Sequence, residues 1–473
     1  MSIRAIPLCV DLDSCLLRTD LLLESFVDRI GRGLPAALRA VLALRHGKAA
    51  LKASLADGCE VDIESLPINQ SVLSLATTAH QQGRRVVLCT GSDRGLAELA
   101  ARRFSCFDEV LASEPGHNLS GHAKAKALVD RFGERGFDYV GDSSVDLHVW
   151  ERARGAIVVG SDELAQAAAT RCELLAQIDP CRGGVRTLIH AIRLHQWLKN
   201  LLVFVPLLAA HRALDIEAVI SATLAFIAFG LCASGVYLIN DLLDLDADRR
   251  HPRKRLRPMA AGTLPLLHGL LAAPLLVLAA LGLAALVSLP FLVVLSGYFL
   301  LTLAYSLRLK RTVMLDVILL AFLYTTRIVG GTAAIGSELS FWLLAFSMFI
   351  FLSLAMLKRY TELNLLLSDG RIEARGRGYR VDDLPLLQSL GGSAGYCAVL
   401  VLALYIDSPD SRVLYQQPYA LWSLCPLILY WISRAWMLAH RGEMDDDPVV
   451  FASTDRFSLG IAALCLFAVL VAL

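Results

Sequence analysis

The sequence has no CxxC pair and no cluster of histidine with cysteine, although it holds 11 cysteines. That spacing argues against zinc-ribbon and dithiol-redox sites. The cysteines read as small buried residues, several of them (Cys232, Cys397, Cys465) inside apolar runs. A net charge is nearly absent as well. The value of +1 carries little information, because the charges are segregated along the chain; no nucleic-acid partner is expected. A secretory signal is missing: Ile3 to Val10 is too short for a signal core, and Asp11 and Asp13 end it. The N-terminal segment is therefore expected to stay in the cytoplasm.

What is present is apolar and unevenly placed. Hydrophobic residues make up 56% of the chain, and mean hydropathy is +0.55, above the roughly 45–50% apolar content of soluble domains. Residues 1–185 mix charged and apolar positions like a soluble domain. Beyond about residue 195, apolar runs of roughly 17–22 residues recur, the length that spans hydrocarbon. The expected fold is an N-terminal α/β Rossmann-like domain plus an all-α polytopic membrane domain of about nine transmembrane helices. The expected boundaries are 1–175 for the soluble domain, 176–193 for a linker with Pro180, Gly183 and Gly184, and 194–473 for the membrane domain.

In the soluble part, short apolar strands near 6–10, 85–89, 109–112, 137–140 and 156–159 alternate with helical stretches, among them 22–56 and 70–82. That alternation predicts a parallel, helix-covered sheet, whose ligands bind at strand carboxyl ends. Polar groups fall at those ends: Asp11 and Asp13, Thr90 and Ser92, Asp142 and Asp146. Four motifs in this order, over about 140 residues, resemble the haloacid dehalogenase (HAD) superfamily of Mg²⁺-dependent phosphatases. The resemblance makes Asp11 the nucleophile and Asp13 the general acid/base, both also offered to the metal with Asp142. It gives Thr90 the phosphoryl group to hold, and Lys124 the charge to offset, with Lys126 as a rival. The family usually has Gly-Thr after the second aspartate; this chain has Ser14-Cys15. The other reading is a Rossmann-like domain whose strand-end carboxylates are inert or regulatory.

Nine spans are expected, near 197–212, 219–239, 264–287, 289–306, 314–335, 340–357, 390–406, 419–437 and 457–473. With the N-terminus inside, the connections on the same side (241–263, 307–313, 358–389, 438–456) hold 17 Lys and Arg, and the opposite ones hold only Arg412. The positive-inside rule then predicts a multi-pass protein of the inner (cytoplasmic) membrane with its C-terminus on the far side. Trp197 and Lys199 open the first span and suit an interfacial anchor. Asp316 and Arg327 lie inside an apolar helix, where ionisable residues are costly and are functional candidates or a structural pair. Lys358 to Arg380 reads as a basic loop or a flap.

The densest signal is Asn240-Asp241-Leu242-Leu243-Asp244-Leu245-Asp246-Ala247-Asp248, between the second apolar run and a basic segment, Arg249 to Pro258. If the helix continues, Asp241, Asp244 and Asp248 share a face. Clustered carboxylates of this kind suit Mg²⁺ bridged to substrate phosphates. In a nine-span chain, this motif resembles the UbiA superfamily of intramembrane prenyltransferases. The second aspartate-rich motif usual there is reduced to Asp316, since Leu320 stands four residues on. Gln196-Trp197-x-Lys199-Asn200, Lys254-Arg255-x-Arg257-Pro258 and the stretch with Tyr305, Lys310 and Asp316 look most like the decaprenyl-phosphate phosphoribosyltransferase branch.

That resemblance implies phosphoribosyl diphosphate as donor and a polyprenyl phosphate as acceptor, and it makes Asp241, Asp244 and Asp248 the Mg²⁺ ligands. Asn240 would orient them. Lys199, Asn200, Lys254, Arg257, Tyr305, Lys310, Asp316 and Arg327 would contact the substrates. The soluble domain is expected to remove the product's 5-phosphate. The alternatives are a prenyltransferase using a polyprenyl diphosphate and an aromatic or other acceptor, and a lipid-binding or transport protein with a regulatory soluble domain. Homo-oligomerisation is left open.

Overall fold

The computed structural model describes residues 6–33, 39, 42–114, 116–368, 378–444 and 448–473. By its internal contacts the chain divides into two compact units: Met1–Arg193 with Tyr237–Pro274, and Leu194–Val236 with Leu275–Leu473. The segment Tyr237–Pro274, with the aspartate-rich motif, thus belongs to the unit of the N-terminal sheet.

The first unit is built on a six-stranded sheet of order β3-β2-β1-β4-β5-β6, with every pairing parallel. The strands are β1 (Leu8–Val10), β2 (Val86–Asp93), β3 (Glu109–Ser113), β4 (Asp138–Gly141), β5 (Gly155–Val159) and β6 (Glu173–Ile178). β1, β4 and β5 are buried along their whole length, as a sheet covered on both faces requires. The helices are α1 (Leu21–Arg32), α2 (Lys48–Ala56), α3 (Gln70–Gln81), α4 (Arg94–Arg103), α5 (His122–Phe132) and α6 (Asp162–Ala169). One apolar core gathers Leu8, Val10, Leu88 and Val140 with α3 and α4; a second gathers Cys9, Val87 and Tyr139 with α5 and α6. Strand order reverses beside β1, between β2 and β4. That is the switch point at which such sheets bind ligands.

Two sequence expectations are corrected here. The stretch 22–56 is not one helix: α1 ends at Gly33, whose φ is 138°, and α2 begins at Lys48. The expected linker holds structure, because β6 runs through Ile178 and a short helix covers Val185–Ala191. Leu174 and Leu175 are exposed at this sheet edge, so the strand lacks the buried alternation that reveals strands in a sequence.

Seven helical runs among the described residues are long and apolar enough to cross a membrane. They center on α7 (Ile216–Leu243), α9 (Leu266–Val287), α10 (Leu289–Leu307), α11 (Leu315–Ile335), α12 (Phe341–Ser368), α13 (Leu384–Asp407) and α14 (Leu424–His440). A six-residue helix, α8 (Leu245–Arg250), follows α7, and α15 is Arg456–Ala472. Two of the nine expected spans are shorter. One is α15; the other is Leu194–Ala209, a 3₁₀ run over Leu194–Phe204 that passes into a helical turn at Val205–Ala209. Leu214, Leu286, Leu289 and Phe341 are among many large apolar residues left exposed, as lipid-facing surface should be.

Candidate functional site

β1 delivers Asp11 to the switch point. Val10 pairs with Leu88 on one side and Val140 on the other, so the residue after it emerges between the ends of β2 and β4. Asp11 is buried, at 8% exposure. Its Oδ1 accepts the Leu12 N–H at 2.8 Å, and its Oδ2 accepts from Lys124 Nζ at 2.8 Å. Lys124 is buried on α5, whereas Lys126 faces solvent, so the structure brings Lys124 to Asp11. Lys124 also donates to the Tyr139 hydroxyl at 2.8 Å, and that hydroxyl is 3.2 Å from Asp11 Oδ2 and 3.1 Å from Asp146 Oδ1.

Asp146 is fixed by donors from its own loop. Its Oδ2 accepts from Asp142 N, Ser143 N and Ser143 Oγ at 3.2, 3.1 and 2.9 Å. Oxygens of Asp11, Asp142 and Asp146 all lie within 4.8 Å of one another. Three carboxylates gathered at one strand end fit a hard divalent cation. Burial pushes the Asp11 carboxyl up to about 6 against the opposing pull of Lys124. Burial, reinforced by Asp11 and Asp146, pushes Asp142 up to about 8.

Asp13 is turned away from this group. Its carboxylate accepts from Thr90 Oγ1 at 3.0 Å, Ser92 Oγ at 2.6 Å and the Leu21 N–H at 2.8 Å. Thr90 and Ser92 therefore stand beside Asp13, and the metal-sized trio takes in Asp146 rather than Asp13. Tyr139 was missed in the sequence because a tyrosine inside a buried strand reads as core. Gly141 makes room for the group: a Cβ there would lie 2.8 Å from both Asp146 Cγ and Tyr139 Cε1.

The same unit carries the aspartate-rich motif. α7 stops at Leu243, and Asp244 takes φ −96°, ψ 12° before α8 begins. Hydrogen bonds from Asp244 N to Asn240 O (2.9 Å) and from Asp248 N to Asp244 O (2.8 Å) still bridge the break. Asp241 and Asp248 are buried, at 4% and 2% exposure, while Asn240 and Asp244 are half-buried. Arg257 Nη1 lies 3.2 Å from Asp241 Oδ1 and 2.5 Å from Asp248 Oδ2, so the two carboxylates converge on one point. Arg193 donates to the same Asp241 oxygen at 2.5 Å. Burial raises the Asp248 carboxyl, and Arg257 opposes that rise. Paired carboxylate oxygens are a donor set that fits Mg²⁺, and the arginines supply positive charge beside them. Lys254 is exposed on the next turn.

The second unit holds two further polar groups. Asp316, fully buried, does not pair with Arg327. It accepts from Arg359 Nε at 2.6 Å and from the Tyr379 hydroxyl at 2.5 Å. Arg359 also reaches Tyr305 OH (3.2 Å) and Glu362 (2.6 Å). Residues 369–377 of the expected basic loop or flap lie outside the described residues. Arg327 donates to Asn200 Oδ1 (2.9 Å), Tyr298 OH (3.0 Å) and Leu323 O (2.7 Å). Among the described residues, the buried Asn200 side-chain nitrogen has no hydrogen-bond partner, and Lys199 Nζ sits 5.8 Å from the Tyr324 ring center. Trp197 donates to Ser234 Oγ at 3.0 Å, which ties it to α7. Lys310 is half-buried on the turn after α10. Arg359 and Tyr379 are further residues the sequence did not reveal; each stands more than 40 positions from Asp316.

The model of the UbiA prenyltransferase family matches residues 201–460. Protein y4nM of Sinorhizobium fredii, described as uncharacterized, is 37% identical over 465 residues, 98% of this chain and 90% of its own. Nodulation protein NoeC of Azorhizobium caulinodans is 39% identical over 278 residues, covering 58% of this chain and 89% of that protein. Decaprenyl-phosphate phosphoribosyltransferase of Mycolicibacterium smegmatis is 38% identical over 192 residues, covering 39% of this chain and 60% of that enzyme. With the family match spanning over half of its length, the chain belongs to the UbiA prenyltransferase family.

Proposed function

We propose that the protein transfers phosphoribose from phosphoribosyl diphosphate to a polyprenyl phosphate, and that its N-terminal domain is a HAD-type phosphatase that removes the 5-phosphate from the product. The observation that carries the first half is the convergence of Asp241 and Asp248 on Arg257, with Arg193 beside them. Such a group suits a substrate that brings both phosphate and Mg²⁺. The naming of the mycobacterial relative supports the choice of donor and acceptor.

Asp241, Asp244 and Asp248 would hold Mg²⁺, which when bound offsets the charge of the diphosphate leaving group. Asn240 orients that row, and Lys254 and Arg257 meet phosphate oxygens. The acceptor phosphate oxygen attacks the anomeric carbon, the bond from that carbon to the diphosphate oxygen breaks, and diphosphate departs. In the second unit, Lys199, Asn200 and Arg327 offer donors to an anion. Asp316, already held by Arg359 and Tyr379, locks helices together rather than binding metal.

In the soluble domain, Asp11 attacks phosphorus and the sugar hydroxyl leaves, with Asp13 supplying its proton. Water then hydrolyses the aspartyl phosphate. Lys124 offsets negative charge, and Asp142 with Asp146 completes the metal-binding carboxylates. We also assign the protein to the inner membrane, with this domain on the cytoplasmic side, from the charge bias of the connections.

The test uses purified full-length protein with labelled phosphoribosyl diphosphate, polyprenyl phosphate and Mg²⁺. Labelled lipid is expected, and its formation is lost in Asp248→Asn. If lipid forms only from a polyprenyl diphosphate and a neutral acceptor, the prenyltransferase alternative replaces this reading.

A further inference from the structure

α8 is six residues long and follows a break in the helix at Asp244, so α7 alone does not dictate its rotation. Its two critical side chains point apart. Asp248 meets Arg257, while Arg249, the next residue, points into the soluble domain and is only 2% exposed. There it makes a two-pronged bond to Glu24 of α1, at 3.0 Å (Nη1 to Oε2) and 2.5 Å (Nη2 to Oε1). Glu24 is 3% exposed and also accepts from Thr19 Oγ1 at 2.5 Å. The first N–H of α1, that of Leu21, is bonded to Asp13. One helix thus touches the strand-end carboxylates at its start and the aspartate-rich segment one turn later.

The loop beyond Arg249 is seated on the same domain. Gly262 has φ +69°, and a Cβ there would lie 2.6 Å from Arg18 Cβ and 2.8 Å from Arg18 O. A buried charge pair is a poor source of stability but a strong geometric constraint, because losing one partner strands the other.

We propose that Glu24 of the soluble domain is a positioning residue for the transferase. Acting through Arg249, it sets the rotation of α8, which keeps Asp248 beside Asp241 and ready for metal. The proposal rests on the reading of Asp241 and Asp248 as metal ligands. It makes the membrane reaction depend on a side chain outside the family-matched residues 201–460.

The experiment uses full-length protein in lipid vesicles, with Asp142→Asn added to silence the soluble-domain cation site. Mn²⁺ binding is followed by electron paramagnetic resonance, and lipid labelling is titrated with Mg²⁺. Replacing a partner that orients a metal ligand typically weakens metal binding about 10–100-fold, so Glu24→Gln is expected to weaken Mn²⁺ binding at least about tenfold. It is also expected to raise the Mg²⁺ needed for half-maximal labelling, with the rate at saturating Mg²⁺ changed less than about threefold. The charge-swapped double variant, Glu24→Arg with Arg249→Glu, is expected to restore most of the affinity. Wild-type Mn²⁺ affinity in Glu24→Gln overturns the proposal. So does a charge-swapped protein that unfolds at the wild-type temperature yet binds no better than Glu24→Gln. Asp248→Asn separates the two failures: if it binds Mn²⁺ like wild type, the metal reading itself is wrong.

Discussion

At the scale of single residues, the soluble-domain site is governed by burial working against charge. Burial lifts Asp11 to about 6 and Asp142 to about 8. In the unfolded chain, a carboxyl titrates near 3.8. Between those values, the folded protein keeps protons that the unfolded chain has lost, so the slope of stability with pH is negative. Without divalent metal, stability is expected to fall as pH rises from about 4 through 8. With Mg²⁺, the carboxylates ionise onto the cation, and much of that fall should vanish. Melting curves at pH 5, 7 and 8.5, with and without Mg²⁺, check this; metal-free protein that grows more stable toward pH 8 contradicts it. Gly141→Ala tests the close approach behind the site. A methyl 2.8 Å from Asp146 and Tyr139 should cost about 1–3 kcal/mol and weaken Mg²⁺ binding, both measurable by calorimetry. The resemblance favoured Lys124 with Lys126 as a rival, but spacing alone could not separate them. Two positions apart on a helix they face opposite ways, and only the packing of α5 on the sheet decides which is inside.

At the scale of elements, what could be read in advance was whatever repeats along the chain. The parallel sheet was legible because short apolar strands alternate with helical stretches, although β2 runs on past Thr90 to Asp93; the long spans were legible because each is a continuous apolar run. β6 was not, since its leucines are exposed. Nor was the 3₁₀ character of Leu194–Phe204, because an apolar count does not distinguish helix types. The partners of Asp316 were invisible for a related reason: Arg359 and Tyr379 lie on later elements, and nothing local points to them. Their pairing carries its own prediction. Asp316 and Arg359 are 0% and 2% exposed, so Arg359→Met strands a buried carboxylate. The expected cost is about 3–5 kcal/mol, seen as a lower unfolding temperature in detergent. Asp316→Asn combined with Arg359→Met should recover part of it, because the amide oxygen still accepts from Tyr379 and no charge is left at position 316. A double variant as unstable as Arg359→Met alone would show that the ion pair is not the source.

At the scale of the whole molecule, a parallel-sheet domain and a UbiA-family helical domain share one chain, and the relative from Sinorhizobium fredii spans 98% of it. The aspartate-rich motif belongs to the compact unit of the strand-end carboxylates. If the proposed order of reactions is right, the lipid product first carries the ribose 5-phosphate and then loses it. Phosphoribosyl diphosphate labelled separately in the ribose carbon and in the 5-phosphate distinguishes the steps. Wild-type protein should give lipid that keeps the carbon label and releases the phosphate label as inorganic phosphate. Asp11→Asn removes the proposed nucleophile while its amide oxygen can still face Lys124. It should therefore accumulate lipid carrying both labels in equal amounts, with the rate of lipid formation changed by less than about threefold. If lipid from Asp11→Asn loses phosphate as fast as lipid from wild type, Asp11 is not the nucleophile. If neither protein releases phosphate, the N-terminal domain does not act on this product, and the reading of its strand-end carboxylates as inert or regulatory gains.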